Sequence, residues 1–248
     1  MKKYLILLAI IILFSPGFIL SDLVTFKFGF FIPRAESDLW EVEFENMDFD
    51  KGSFQGTDFV FDYEYFLSKN IGLVLSLGNY SKKKNGFYLD YILDPDVNFA
   101  FDYGEGFEIG HTYSVSFTPV QISLKLAPLG RRGKFIPYLG GGVGLYLWSV
   151  SIVGYVIDFE AAELFYDPNI DEDVIGFEVF ESHLSEDNKI SFGYHVFAGI
   201  MVPIGNRISL DAGFKYNFVE GKLTDSFEGF EPFDLSGYQI SFGIDYWF

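Results

Sequence analysis

The sequence predicts an all-β protein, an eight-stranded antiparallel up-and-down transmembrane β-barrel preceded by an N-terminal signal peptide. Three observations predict it. Eight segments alternate between apolar and small or polar side chains, the period of an extended strand. The apolar phase of each segment is nearly free of charge. The connections are alternately short and long, the plan of a barrel whose termini lie on one side.

Lys2 and Lys3 precede an apolar run from Tyr4 to Phe14, followed by Ser15-Pro16-Gly17 and a small residue at Ser21. A helix needs about 20 apolar residues to span a bilayer, so this run is too short and matches a secretory signal over residues 1 to 21. The barrel domain is then expected over 22 to 248. The chain has no cysteine, so it holds no disulfide or thiolate metal site.

The first strand places Val24, Phe26, Phe28, Phe30 and Ile32 on one face, with Thr25, Lys27 and Gly29 on the other. A polar stretch, 34 to 56, follows. The second strand sets Phe59, Phe61, Tyr63, Tyr65 and Leu67 against Asp62 and Glu64. Ser68-Lys69-Asn70 turns it into the third, with Ile71, Leu73, Leu75 and Leu77 against Gly72, Val74, Ser76 and Gly78. A long loop is expected over 81 to 110.

The fourth strand, about His111 to Ala127, has Tyr113, Val115 and Phe117 in one phase and Val120, Ile122, Leu124 and Leu126 in the other. The slip falls at Thr118-Pro119, where proline cannot donate a ladder bond, so a β-bulge is expected there. In the fifth strand Leu139, Val143, Leu145 and Leu147 oppose Tyr138, Gly140, Gly142, Gly144 and Tyr146. The longest loop is expected over 154 to 188. The sixth strand sets Ile190, Phe192, Tyr194 and Val196 against Ser191, Gly193, His195 and Phe197. The seventh sets Ile208, Leu210, Phe214 and Tyr216 against Arg207, Ser209, Asp211 and Lys215. A last long loop, 219 to 236, leads to the eighth strand, Gly237 to Phe248. There Tyr238, Ile240, Phe242, Ile244, Tyr246 and Phe248 share one face.

A soluble barrel would turn its apolar face inward around a ligand. Here the minor face carries Lys27, Lys125, Arg207 and Lys215 against Asp62, Glu64, Asp211 and Asp245, four of each sign. Such a set suits the interior of an eight-stranded barrel, which is just wide enough for side chains to fill. The opposite face, exposed to water, would far exceed the few hundred Å² of apolar patch that a soluble monomer tolerates. Lipid is therefore its expected partner.

The net charge of -18 comes from the long connections, whose residues include 29 acidic and 6 basic side chains. So acidic a surface excludes nucleic acid as a partner. Trp40, Phe44, Phe49 and Phe54, and the stretch from Phe159 to Tyr166, are apolar anchors among these acids. Asp167, Asn169, Asp171, Asp173 and Glu178 have oxygen side chains at EF-hand-like spacing, with Glu172 where the sharp turn needs glycine. They are the candidate Ca²⁺ ligands, and no other cofactor is expected. Of the histidines, His195 is expected in the lumen, as a structural imidazole beside Phe197. No nucleophile elbow, phosphate loop or other metal-ligand spacing appears, so no catalytic residues are expected.

The stretch GYQISFGIDYWF, with Tyr246 and the terminal Phe248, resembles the C-terminal assembly signal of bacterial outer-membrane β-barrels. The segment Phe135 to Tyr146, FIPYLGGGVGLY, is similar to the central strand of OmpW-like and related small barrels. The pair His183 and Ser185 has the H-x-S spacing of outer-membrane lipid A deacylases, but in an expected loop. The barrel resemblance implies an outer-membrane location, outer-membrane lipid and lipopolysaccharide as surroundings, and the β-barrel assembly machinery as a folding partner. The OmpW-like resemblance implies an apolar-solute channel; the charge-paired interior points to a structural or narrow porin-like role, and the apolar anchors to an adhesin acting through loops 34 to 56 and 154 to 188. The charged interior departs from the OmpW-like pattern.

Overall fold

A computed structural model describes residues 23–248 apart from 103, 169 and 170, and of residue 225 the backbone only. The expected signal segment, 1 to 21, lies outside the described residues. The described residues form ten strands: β1 (Leu23–Pro33), β2 (Gly56–Phe66), β3 (Ile71–Asp94), β4 (Phe99–Phe101), β5 (Phe107–Leu126), β6 (Ile136–Asp167), β7 (Glu172–Pro203), β8 (Ile208–Gly221), β9 (Phe233–Asp234) and β10 (Gly237–Trp247). A helix, α1 (Asp38–Asn46), and a 3₁₀ turn (Lys51–Phe54) follow β1.

Eight strands close a ring. β1 pairs β2, β2 pairs β3, β3 pairs β5, and β5, β6, β7 and β8 pair in succession. β8 then pairs β10, and β10 returns to β1. Every pairing is antiparallel, so the barrel is of the up-and-down type, with no free edge to recruit other strands.

The apolar face is on the outside. Phe26, Phe59, Phe192 and Phe242 are each more than 60 % exposed, whereas Asp211 and Asp245 are 3 % and 0 % exposed. Tyr194 stacks on Phe218 and Tyr216 meets Tyr238 at the upper rim, while Tyr246 and Phe248 meet edge to face at the lower one. Aromatic girdles flanking an apolar band are the mark of a transmembrane barrel.

The two longest expected loops are strands. β3 runs on to Asp94, β5 starts at Phe107, and β6 and β7 each have 32 residues. One flank of the barrel wall therefore rises well above the apolar band. β4 pairs both β3 and β7, which closes a second, smaller ring of β3, β5, β6, β7 and β4 above the first. Ala100, Ile109, Ile157 and Val179 fill it, with Tyr88, Tyr91 and Phe177 packed against them.

The expected bulge at Thr118-Pro119 is absent. The β5 register against β3 and β6 is the same on both sides of Pro119, and the only β3/β5 shift lies between Phe87 and Ile92. Tyr113, Val115, Phe117, Gln121, Ser123 and Lys125 all face inward on one unbroken phase. What changes at Pro119 is the lumen, polar below and aromatic above, so the apolar side chains swap faces without any break in the strand.

Gly140 shows how tightly the wall is packed. A Cβ there would overlap the Phe197 ring and the Leu124 carbonyl, whereas one at Gly205, in the β7–β8 turn, would meet nothing. Gly140→Val is expected to destabilise the barrel by about 1 to 3 kcal/mol through overpacking, with Gly205→Ala near neutral. Urea unfolding in detergent checks this; equal midpoints for the two variants would mean that Phe197 does not occupy the groove.

Candidate functional site

The lumen is built in layers, from the turn side upward. At the bottom Leu23, Ala127, Ile136 and Met201 form a small apolar seal with Phe66, Phe197 and Trp247. Trp247 packs on Phe66 and donates from Nε1 to Ser209 Oγ at 2.6 Å. Just above, Glu64 accepts from Lys125 Nζ at 2.9 Å and from Arg131 at 2.5 Å.

The middle layer is centred on Lys27. Its Nζ lies 3.2 Å from Asp62 and 3.2 Å from Asp211. Tyr138, across the lumen on β6, donates its hydroxyl to Asp211 at 2.8 Å, and Lys125 Nζ lies over its ring, 4.1 Å from the centroid. Thr25 donates to Asp245 at 2.7 Å, Lys215 to Gln121 at 2.9 Å, and Gln239 to Asp58. Charges taken out of water persist only when paired and hydrogen-bonded in this way.

Of the residues expected in this network, the structure brings Lys27, Asp62 and Asp211 together, and Glu64 with Lys125. Lys215 and Asp245 face the same interior. Arg207 does not. It sits exposed in the β7–β8 turn, with its guanidinium 3.2 Å from Tyr246 Oη. It lies one position before β8, where the wall has ended and alternation no longer fixes a direction.

Sequence reasoning missed Asp58, Arg131 and Gln121. Arg131 was legible only as a turn residue; its long side chain reaches back under the barrel, against the Phe66 ring.

The top layer is aromatic. Phe31, Tyr80, Tyr113, Phe117, Tyr146 and Trp148 from the wall meet Trp40, Phe49, Phe54 and Phe233 from the connections above. The anchors read as loop residues are thus buried: Trp40 is 1 % exposed, Phe54 0 % and Phe49 5 %. α1 and the 3₁₀ turn fold into the mouth as a plug, so the region 34 to 56 offers no apolar loop for adhesion.

Buried polar contacts hold the plug in place. Trp40 Nε1 donates to the Asp234 carbonyl at 2.9 Å, and Tyr80 Oη to the Phe54 carbonyl at 2.5 Å. Glu43 of α1 lies 2.7 Å from His111 Nε2 on β5, both side chains almost fully enclosed. Burial pushes the Tyr88 hydroxyl beside this pair up to about 12, and holds that of Tyr113 well above its usual range, so both stay neutral; Tyr88 Oη accepts from the Ile157 N–H at 3.3 Å.

Among the described residues the lumen holds cavities of about 10, 30 and 20 Å³. Each is room for one or two water molecules at most. Ser123 Oγ lies 2.7 Å from His195 Nε2 in the polar layer, the spacing of a nucleophile and its base. The other ring nitrogen of His195 has no hydrogen-bond partner among the described residues, and the cavity that Ser123 lines is about 30 Å³, room for water only.

The candidate Ca²⁺ ligands are not gathered. Asp167 ends β6, Asp171 lies in the turn accepting from Tyr166 Oη at 2.6 Å, and Asp173 and Glu178 lie along β7. Asn169 is outside the described residues. Five residues of extended strand carry Glu178 about 16 Å beyond Asp173, where an EF-hand loop would have to curl back. Among the described residues no cluster of three or more His, Cys, Asp or Glu is placed to hold a metal ion. His183 and Ser185 lie on strand β7 and not in a loop, opposite Val153 and Ser151 of β6.

No protein-family model matches the chain, and no curated protein matches it. Solved structures do. Neisserial surface protein A is 15 % identical with a TM-score of 0.48, covering 91 % of this chain and 96 % of its own. The attachment invasion locus protein Ail of Yersinia pestis, in complex with the heparin analogue sucrose octasulfate, is 10 % identical with a TM-score of 0.40, covering 92 % and 99 %. Outer Membrane Protein W of E. coli is 11 % identical with a TM-score of 0.40, covering 92 % and 98 %. The chain is similar to these barrels along nearly its whole length, and no residue role passes from them to it.

Proposed function

We propose that this chain is an integral outer-membrane barrel without catalytic activity, closed along its axis, that holds a rigid acidic β-structure above the lipid. The observation that carries this reading is the double closure of the lumen. An aromatic plug fills the mouth, and around the paired ionic layer beneath it lie cavities of about 10 to 30 Å³ among the described residues. The signal expected over residues 1 to 21 supports export, and Tyr246 with Phe248 supports insertion through the β-barrel assembly machinery.

Passage of apolar solutes along the axis is disfavoured by the same layer, since an apolar molecule would have to displace Lys27, Asp62 and Asp211 from one another. The purified barrel in planar bilayers is expected to show no unit conductance, and its proteoliposomes no uptake of small sugars or apolar dyes. Regular conductance steps would overturn the closed-axis reading and favour a narrow porin; dye uptake without conductance would favour the apolar-solute channel.

A second reading, attachment to a partner, rests on the upper ring. Leu164, Tyr166 and Ile175 near its tip are 72 %, 62 % and 54 % exposed amid Glu160, Glu163, Glu172 and Asp173. Deleting 156 to 186 and measuring partner binding tests it.

A further inference from the structure

The outward face of the wall changes chemistry along a straight row. On β3, β5 and β6 the outward residues are apolar up to Leu77, Val120 and Leu147, and then become Asn79, Thr118 and Ser149. Beyond that level the strand register sets polar residues side by side. Ser81 pairs Ser116, which pairs Ser149; Lys83 pairs Ser114, which pairs Ser151, which pairs Ser185; Asn85 pairs Thr112. The result is a flat terrace of hydroxyls and amides standing directly on the lipid-facing belt.

Two features separate this terrace from a merely solvated face. In a chain whose long connections are strongly acidic, the paired residues of these rows carry no carboxylate and one outward cation, Lys83; the exposed Asp187 stands only at their β7 end, beside Ser149. Glu186, which could have reached it, turns inward and is buried with Lys189 and Thr224. The terrace also lacks the aromatic anchors that a protein partner needs at the centre of an interface. Its inward side chains, Tyr113, Val115, Phe117 and Val150, are buried in the plug, so the wall here is rigid and the hydroxyl spacing fixed.

We propose that this terrace is a docking surface for the sugar and phosphate headgroup of a phosphorylated glycolipid in the outer leaflet. The inference rests on the transmembrane reading above and names one lipid partner for it. A ligand whose acyl chains lie against Leu75, Leu77, Val120 and Leu145 has its headgroup at the level of Ser81, Ser114 and Ser116. Hydroxyls that both donate and accept match sugar hydroxyls. Lys83, with Lys82 and Lys84 beside it in the chain, supplies the positive field for a phosphate.

The test compares the full-length barrel in vesicles of phosphatidylcholine alone, with added phosphatidylglycerol, and with added rough-type lipopolysaccharide. The readouts are the thermal midpoint and lipid retained through detergent exchange. Lipopolysaccharide is expected to raise the midpoint more than phosphatidylglycerol does. Lys83→Ala is expected to weaken its retention about fivefold, the weight of one lysine at an anionic surface. Adding Ser114→Ala and Ser116→Ala is expected to bring the loss beyond about tenfold. Arg207→Ala, which removes the same charge from an exposed turn at the other end of the barrel, is expected to change nothing.

Equal responses to the two anionic lipids, or full retention by the Lys83 variant, would overturn the proposal. Should the triple variant not fold, Lys83→Ala alone decides, since that exposed side chain supports no packing. Failure of the unaltered barrel to insert into any vesicle would instead overturn the transmembrane reading.

Discussion

Lys27→Met is expected to destabilise the barrel by about 3 to 5 kcal/mol, the usual consequence of removing one partner from a buried ionic cluster. Among the described residues Lys27 is the one cation within salt-bridge distance of both Asp62 and Asp211. Methionine fills the same volume but leaves two enclosed carboxylates facing each other, each of which already has one oxygen without a protein partner. Tyr138 and Ser76 cannot take over, because a hydroxyl supplies one hydrogen bond and no charge.

Arg207→Met is the matched comparison. It removes the same charge from an exposed turn, where substitutions usually stay within about 0.5 kcal/mol. Urea midpoints of both variants in detergent or thin bilayers check the pair. An unaltered midpoint for the Lys27 variant would mean that the middle layer is packed but not electrostatically held together. The conductance of the Lys27 variant matters too: without the central cation the layer loses its cohesion, and leakage there but not in the unaltered protein would place the inner seal at Lys27.

Trp40→Ala is expected to loosen the plug without dissolving the barrel. Trp40 stacks on Phe233 at 5.1 Å and on Phe44 at 5.4 Å, and meets Phe54 and Tyr113 edge to face at 5.0 and 5.1 Å. Truncating a buried tryptophan costs about 3 to 5 kcal/mol. That loss falls on local opening of 34 to 56, because the ring of strand pairs below is untouched. Amide exchange over α1 and proteolysis within 34 to 56 should both accelerate by orders of magnitude, while protection in β1 and β10 is retained. Conductance should stay absent, since the ionic layer remains. Unaltered exchange over α1 would show that Glu43 with His111, and not the aromatic cluster, is what keeps the plug closed.

The sequence made the membrane-embedded part of this molecule legible. Within the apolar band every strand separates lipid from lumen, so Phe26 against Lys27, or Leu210 against Asp211, sort by period two with a strong contrast. Above the band that contrast fades. The outward side of β3, β5, β6 and β7 faces water and carries serine, lysine and acid, while the inward side faces an aromatic core. A stretch such as Ser81 to Gly110 therefore looks like a polar loop although it is mostly wall. The supposed bulge at Pro119 has the same origin, since apolar residues move from the lipid face to the plug face at the level where the lipid ends.

Sequence alone thus determined the closed cylinder, its inverted polarity and most of the charged residues of its interior, because lipid imposes a rule that each residue answers separately. Tertiary structure decided the rest: the burial of Trp40, Phe49 and Phe54 in the mouth, the reach of Arg131 into the bottom of the lumen, the exposure of Arg207, and the closing of a second ring by β4. Those depend on which distant segments meet, and local alternation carries no record of that.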